Sequence, residues 1–203
     1  MYRKYTKRII DIILSLIILI PLLIVILIFG FFIKIEDKGP IFYCGKRLGM
    51  NKMVFKMYKL RSMKVNAPDL RNDDGTTYNS ETDPRLLKIG NFIRKTSIDE
   101  LPQIINVLKG DMSFIGPRPD LDSQIIYYEN TGKDQTKFLV KPGITGYAQC
   151  NGRNELDWDE KLKLDHYYVD NICFLLDVEI FFRTVKNVLL RKGVNQSKQE
   201  DKR

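Results

Sequence analysis

The stretch IILSLIILIPLLIVILIFGFFI, residues 12–33, contains no charged residue and consists mainly of Ile, Leu, Val and Phe. A helix needs about 20 apolar residues to cross the roughly 30 Å hydrocarbon core of a bilayer, and this run is long enough. A cleaved signal peptide is not expected, because the run is too long and no small-residue cleavage site follows it. The segment predicts a retained, membrane-associated helical unit over residues 1–36.

Pro21 interrupts the middle of this run, and basic residues flank both of its ends. They are Arg3, Lys4, Lys7 and Arg8 before the run and Lys34, Lys38, Lys46 and Arg47 after it. Basic residues next to a membrane helix favour the cytoplasmic side. Because both ends of this segment have them, they do not predict which end of a single crossing helix would lie in the cytoplasm. A helix, a break and a second helix that enter and leave by one face would satisfy both flanks. A kinked single crossing is the default alternative for such a sequence.

The rest of the chain has the composition of one soluble domain. The 203 residues carry a formal net charge of +8, and 29% of them are charged. We assign residues 37–192 to this domain and residues 193–203 to a polar tail. A basic excess beside an apolar anchor indicates affinity for anionic lipid and phosphorylated substrates. Nucleic acid is the runner-up partner, and we do not expect it, because zinc-finger spacing, ribonucleoprotein aromatics and a basic dimerising helix are absent from the sequence.

Two adjacent carboxylates, Asp99 and Glu100, lie in the run SIDELPQ, residues 97–103. An acidic pair can supply a nucleophile or ligands for magnesium. Ser97 and Glu100 also have the spacing of a capping box, so a purely structural role at a helix start is an alternative of about equal weight. In either case the pair begins a helix that ends at Gly110, and a helix N-terminus binds phosphate groups well.

Two arginines are candidates for phosphate binding. Arg118 lies between Pro117 and Pro119. The prolines fix the backbone on both sides and keep the arginine out of helical geometry. The direction of its planar guanidinium group is therefore restricted. Arg153 follows Asn151 and Gly152 in a tight turn. It is a second candidate phosphate contact, although an Asn-Gly turn is most often just a hairpin.

The remaining pattern predicts an α+β, mostly helical fold. Two short strands, 39–43 and 54–60, are joined by a turn at 49–52, and a polar loop covers 65–83. Helices are predicted at 85–95, 156–171 and 175–190. The last of these carries the apolar stripe Val178, Phe181, Phe182, Val185 and Leu189. We interpret the stripe as core, with the membrane interface as the alternative.

Two residue types receive no catalytic role. His166 is the only histidine, and its position on a helix flank favours packing or a surface role over catalysis. Cys44, Cys150 and Cys173 lack close metal-ligand spacing, which favours reduced thiols on a cytosolic face.

Six motifs follow one another along the chain. They are YKLRSM (58–63), RKTSIDELPQ (94–103), NVLKGDMS (106–113), GPRP (116–119), PGITG (142–146) and NGRN (151–154). In this order and spacing they resemble the bacterial sugar transferases, the small monotopic phosphoglycosyl transferases. The resemblance covers nearly the whole chain, and several long motifs in series make chance agreement very improbable.

The resemblance implies a specific reaction. A phospho-sugar would move from a UDP-sugar to a polyprenyl phosphate such as undecaprenyl phosphate, with release of UMP and use of Mg²⁺. Asp99 would be the nucleophile that forms an acyl-phosphate sugar intermediate and would also contact the metal, while Glu100 would assist as a base. We expect four basic residues to bind substrate: Lys59, Arg94, Arg118 and Arg153.

The resemblance also implies an architecture. Family members carry a re-entrant membrane helix broken at a proline, which makes that arrangement the preferred one here. A small catalytic domain with interfacial amphipathic helices would then lie at the cytoplasmic face of the bacterial inner membrane. This chain has Ile20 before Pro21, where the family often has Ser. The alternatives are a glycosyltransferase that releases UDP and a non-catalytic membrane scaffold. The sugar, the glycoconjugate pathway and the formation of a homodimer are left open.

Overall fold

The computed structural model describes residues 1–70, 83–152 and 156–190. Within these ranges it contains seven α-helices and four strands, which confirms the predicted mostly helical α+β fold. The predicted site residue Arg153, most of the predicted polar loop and the tail 193–203 lie outside the described residues.

A long helix and a hairpin form the first part of the chain. The turn Tyr2–Thr6 continues into α1, Lys7–Glu36. Strands β1, Phe42–Leu48, and β2, Val54–Leu60, then pair antiparallel, which confirms the predicted hairpin. The first strand begins and ends later than predicted, because it pairs with the whole length of β2.

Six shorter helices and two short strands follow. The helices are α2 (Lys88–Lys95), α3 (Gln103–Lys109), α4 (Ile125–Thr131), α5 (Tyr147–Cys150), α6 (Trp158–Asp170) and α7 (Phe174–Leu189). Strand β3, Ser113–Ile115, pairs in parallel with β4, Gly143–Thr145. The predicted helices 156–171 and 175–190 thus match α6 and α7 within two residues.

The helix after the acidic pair begins later than predicted. Ile98–Glu100 form a single 3₁₀ turn, and α3 begins at Gln103, directly after Pro102. A proline has no N–H and is tolerated at the start of a helix, which explains this boundary. Ser97 has a φ of 56°, in the left-handed region, and its side chain makes no capping hydrogen bond to the described backbone. The capping-box alternative is therefore wrong.

Helix α1 remains helical through Pro21, so the predicted break is not present as an interruption of the helix. Among the described helices it is the one long and apolar enough to cross a membrane, by length and composition. One of its faces is buried, and the spacing of its members is that of a single helical stripe. The buried residues are Asp11, Ser15, Leu22, Gly30 and Ile33.

Both ends of α1 bond to the rest of the chain. Near its start, Arg8 donates to backbone carbonyls at the end of α3, and Asp11 Oδ1 accepts a hydrogen bond from Ser113 Oγ at 3.1 Å. At its end, the Glu36 carboxylate accepts from the first backbone amides of α2, at 3.1 Å from Ile89 N. The carboxylate thereby caps the N-terminus of α2.

The apolar stripe predicted to lie in the core is exposed on α7. Phe182 is 65% exposed and Leu189 is 77% exposed, so that prediction is wrong. The helix instead buries the face that carries Asp177 and Ile180. Asp177 fixes this orientation, because its carboxylate accepts a hydrogen bond of 2.8 Å from the buried Tyr168 hydroxyl and pairs with the ammonium group of Lys7.

Two apolar clusters hold β2 against the helices around the site. Leu60 packs with Leu87 and Ile93 near α2, and α1 contributes Ile33 to this cluster. The second cluster joins β2 to α3 through Met57, Val107 and Met112. These contacts leave Lys59 of β2 facing a cavity.

Candidate active site

A cavity of about 820 Å³ lies among the β1–β2 hairpin, α2 and α6. Every predicted site residue that the structure describes contributes to its lining. These residues are Lys59, Arg94, Asp99, Glu100 and Arg118. The cavity is large enough for a nucleotide-sized ligand.

Lys59 on β2 pairs with both carboxylates, but not equally. Its Nζ donates to Glu100 Oε1 at 2.7 Å and lies 3.8 Å from Asp99 Oδ2. Arg118 Nη2 lies 3.5 Å from the same Glu100 oxygen, and its side chain is about half exposed. Glu100 therefore holds the two cations, while Asp99 has the looser ion pair with Lys59.

Asp99 is a buried carboxyl group in a cationic setting. Burial raises its pKa above the usual carboxyl value, the positive charge of Lys59 opposes this rise, and the charge of Glu100 adds to it. Lys59 thus favours the ionised form that a nucleophile or metal ligand requires. A buried carboxyl group with specific charged partners in a cavity is typical of a functional site.

Arg94 on α2 approaches the acidic pair from another side of the cavity. Its Nε donates to Ser62 Oγ at 3.0 Å. Burial lowers the pKa of the Arg94 guanidinium, and the negative charge of Asp99 opposes that change. Ser62, which directs this arginine, is a positioning residue to which sequence reasoning assigned no role.

Asn106 on α3 sets the distance between Lys59 and the acidic pair. Its fully buried amide accepts a hydrogen bond from Tyr58 N at 2.9 Å and donates one to Lys56 O at 2.8 Å. Lys59 follows these residues on β2, and the acidic pair directly precedes α3. One side chain therefore joins the two elements. In the sequence, Asn106 began the motif NVLKGDMS and was a polar residue on a mainly apolar helix, but it received no role of its own.

The turn that carries Arg118 is held by its neighbours as well as by its prolines. Gly116 N donates to Thr145 O at 2.8 Å, and Gly143 N donates to Pro117 O at 2.9 Å. A Cβ at Gly143 would lie 2.1 Å from Gly116 N, so this approach requires glycine. These backbone hydrogen bonds, together with the prolines, hold the turn from which the Arg118 side chain extends.

Another part of the cavity wall contains polar residues that the sequence did not reveal. Lys137 Nζ lies 2.9 Å from Asp120 Oδ2 and 3.2 Å from Asp165 Oδ2. Gln149 and Trp158 line the same region. These side chains come from well-separated segments, and no local motif connects them.

His166 lies on the exposed side of α6, and it is not part of the cavity lining. It pairs with Asp134 and with Asp170, the latter at 3.0 Å. The hydrogen bond and charge of Asp134 raise the pKa of His166. The sequence predicted packing or a surface role for this histidine, and the structure places it on the surface.

Comparison with known proteins identifies the family. The family described as "Bacterial sugar transferase" matches residues 2–191. The chain is 41% identical over 191 residues to the uncharacterized sugar transferase EpsL of Bacillus subtilis, covering 94% of this chain and 91% of that protein.

Two longer relatives carry names that state a reaction. The undecaprenyl-phosphate galactose phosphotransferase of Salmonella typhimurium is 40% identical over 94% of this chain and 42% of its own length. The UDP-glucose:undecaprenyl-phosphate glucose-1-phosphate transferase of Escherichia coli is 40% identical over 94% of this chain and 41% of its own length. The chain thus spans less than half of these two relatives. With the motifs, the cavity and these matches together, the chain belongs to the bacterial sugar transferase family and to the enzyme class that transfers phosphoglycosyl groups.

Proposed function

We propose that the protein transfers a phospho-sugar from a UDP-sugar to a polyprenyl phosphate such as undecaprenyl phosphate, and that it releases UMP. The observation that carries this proposal is the buried Asp99 held beside Lys59 in a cavity that is also lined by Glu100, Arg94 and Arg118. The names of the longer relatives support the lipid acceptor and a UDP-linked hexose donor.

Asp99 is the nucleophile in this proposal. A carboxylate oxygen of Asp99 forms a bond to the β-phosphorus of the UDP-sugar, and the bond from that phosphorus to the bridging oxygen breaks. UMP leaves with the electron pair. The polyprenyl phosphate then attacks the same phosphorus, which breaks the acyl-phosphate bond and restores the carboxylate. The sugar's anomeric carbon is never attacked, and two displacements let one small site serve two bulky substrates.

The basic residues offset the repulsion between an anionic nucleophile and an anionic substrate. Lys59 lies between the two carboxylates, and Arg118 presents a planar fork from a rigid turn. Arg94 adds charge from α2. Fixed charges of this kind stabilise the transition state, because they are in place before charge moves onto the leaving phosphate. Glu100 accepts a proton from the incoming lipid phosphate.

Magnesium fits the donor set at the acidic pair. Adjacent carboxylates supply hard oxygen ligands. Among the described residues, no group of three or more His, Cys, Asp or Glu side chains is placed to hold a metal ion by itself, so other ligands would have to complete the coordination. Mg²⁺ prefers such a site, in which water and substrate phosphates complete its coordination. Asp99 is the proposed protein ligand. When bound, the ion would reduce the negative charge on the diphosphate.

Although α1 is continuous through Pro21, a re-entrant placement with both ends at one membrane face agrees with its contacts. A crossing helix would place its two ends on opposite sides of the bilayer. Here Arg8 and Asp11 near the start and Glu36 at the end all bond to one domain. The outer face of α1 and the exposed aromatic residues of α7, Phe181 and Phe182, would contact lipid. We place this domain at the cytoplasmic face of the inner membrane.

Incubation with a nucleotide sugar alone tests the chemical proposal. The purified protein, Mg²⁺ and UDP-glucose or UDP-galactose should give UMP, and intact mass spectrometry should show the added mass of a hexose phosphate. Addition of undecaprenyl phosphate should remove the adduct and restart UMP release. Release of UDP without an adduct would instead favour a direct glycosyltransferase, and absence of turnover with all nucleotide sugars would favour a scaffold.

Cysteine labelling tests the topology. In a background that lacks the native cysteines, Thr6→Cys and Ser123→Cys place thiols before α1 and in the domain. Both should resist an impermeant reagent in intact cells and react after permeabilisation. Labelling of Thr6→Cys in intact cells would instead establish a crossing helix.

A further inference from the structure

Three side chains on the α5–α6 wall of the cavity carry buried polar atoms without hydrogen-bond partners among the described residues. They are Gln149, with both amide atoms, Trp158, with Nε1, and Asp165, with Oδ1. Buried polar atoms in folded proteins are normally bonded, and an unpaired one is costly. Three such side chains along one stretch of a cavity wall therefore indicate a position for a polar ligand.

These groups are held in place by their surroundings. Asp165 is 3% exposed, and Lys137 binds its other oxygen, Oδ2, at 3.2 Å. The Trp158 ring packs against Tyr127 and Tyr128, with centroid distances of 5.5 and 6.0 Å. The free oxygen and the indole N–H are thus fixed by an ion pair and by ring packing, which is the preorganisation that a binding site requires.

The wall is close to the residues that would hold the substrate phosphates. Asp120, which shares Lys137 with Asp165, lies two residues after Arg118. Two residues of extended chain span about 7 Å. Gln149 approaches the same turn, because a Cβ at Gly146 would lie 2.6 Å from Gln149 Oε1 and 2.1 Å from the carbonyl oxygen of Gly116. A hexose linked to a phosphate at Arg118 would reach this wall.

We propose that Gln149, Trp158 and Asp165 form the sugar-recognition part of the donor site and bind hydroxyl groups of the hexose. This inference rests on the proposed function, and it assigns the hexose part of the donor substrate to the α5–α6 wall. A sugar hydroxyl both donates and accepts a hydrogen bond. Asp165 Oδ1 accepts, Trp158 Nε1 donates, and the Gln149 amide does both, so a polyhydroxylated ring can satisfy all four atoms.

A uracil base fits this set of atoms less well. Uracil offers one N–H donor and two carbonyl acceptors, so one of the two acceptor oxygens on the wall would stay unpaired. A phosphate fits worse still, because the Asp165 carboxylate would repel it. The chemistry of the wall therefore favours the sugar over the other two parts of the nucleotide sugar.

Intrinsic fluorescence gives a direct test, because Trp158 is the only tryptophan in the chain. The probes are UDP-glucose, UDP-galactose, UDP and UMP, titrated into the full protein and into Asp99→Asn, in which the sugar would stay attached to the nucleotide. We expect at least one UDP-hexose to shift the Trp158 emission, and UDP and UMP to leave it nearly unchanged. An equal shift with UMP would show nucleoside binding at this wall and overturn the proposal. No shift with a UDP-hexose that the protein turns over would also overturn it.

Two conservative variants provide a kinetic test. Gln149→Met keeps the length of the side chain without its amide, and Trp158→Phe keeps an aromatic ring without the N–H. Each removes hydrogen bonds to an uncharged group, so KM for the UDP-hexose should rise on the order of 10-fold while inhibition by UMP is unchanged. Gln135→Met, at a glutamine outside the cavity lining, is the matched control.

The outcomes separate this proposal from the proposed function. Unchanged KM in both variants, or an equal loss of UMP affinity, would refute the sugar-recognition assignment while leaving UMP release intact. An emission shift with a UDP-hexose but release of UDP would retain the sugar site and reject the aspartyl mechanism.

Discussion

Two lysines in this protein each lie between two carboxylates, and they do so in different ways. Lys59 binds Glu100 at 2.7 Å but lies 3.8 Å from Asp99. Lys137 binds both of its partners, Asp120 at 2.9 Å and Asp165 at 3.2 Å. Both clusters line the cavity, but the first is uneven, whereas the second is balanced and its lysine is more deeply buried.

The difference indicates what each cluster does. Burial alone would lower the pKa of Lys137, but Asp120 and Asp165 outweigh it and raise that pKa, so the lysine stays charged. The charge then serves to hold two buried carboxylates. In the Lys59 cluster, the lysine contacts Asp99 less closely than Glu100, so its charge holds Asp99 less firmly. Balance suits a cluster that holds its carboxylates, Asp165 among them, in fixed positions, and imbalance suits a reactive one.

The largest expected effect is loss of activity in Asp99→Asn. An amide is a poor nucleophile, so turnover should fall by at least about 10³-fold and the covalent adduct should disappear. Stability should hold or increase, because burial already disfavours the charge of Asp99. UMP release, intact mass and thermal unfolding measure the three effects. Substantial turnover in this variant would remove Asp99 from the mechanism.

The same comparison explains which parts of the molecule the sequence could predict. Asp99, Glu100 and Arg118 lie in local motifs whose chemistry is visible from neighbouring residues, and the structure brings them to one cavity. The Lys137 cluster joins segments far apart in the chain, so no local pattern indicated it. Long-range packing also decided which face of α7 is buried.

The local prediction failed where two roles shared one pattern. Ser97 and Glu100 have capping-box spacing, but Pro102 delays the start of α3 and Ser97 takes a left-handed conformation. The Glu100 side chain binds Lys59 instead. A tertiary contact across the cavity thus takes the place of the cap, which spacing alone could not show.

Replacement of Lys137 or Lys59 by methionine should give the next largest effect. Lys137→Met leaves two buried carboxylates without their cation and should lower the free energy of unfolding by about 3–5 kcal/mol. Lys59→Met should cost less than half as much stability, because the Lys59 side chain is more exposed than that of Lys137 and Arg118 remains beside Glu100. Its turnover should fall by roughly 100-fold. Chemical denaturation in detergent and UMP release measure both variants. Equal stability losses would contradict the division into a structural and a reactive cluster.

Arg118→Lys gives a smaller effect confined to catalysis. The charge remains but the two-point fork is lost, so turnover should fall about 10- to 100-fold. Thermal unfolding should be unchanged, since the backbone bonds of the turn hold it without the guanidinium. Lys133→Arg, at a surface pair with Asp159, is a matched control with no expected effect on turnover. Normal kinetics in Arg118→Lys would assign Arg118 to bracing the proline turn.

The smallest effect concerns His166, which also lies between two carboxylates but on the exposed surface of α6. Asp134 raises the pKa of this histidine in the folded protein above the unfolded value of about 6.5. The charged pair therefore stabilises the fold fully below the unfolded pKa, and this contribution disappears as pH rises through the folded pKa. His166→Gln should lower the unfolding temperature slightly at about pH 5 and leave it unchanged at about pH 9. At both pH values, His166→Gln should release UMP at the same rate as the unsubstituted protein. If His166→Gln at low pH lowered the stability of the protein as much as Lys137→Met does, then an exposed ion pair would stabilise the fold as much as a buried one. Burial would then not explain the stabilising effect of the Lys137 cluster.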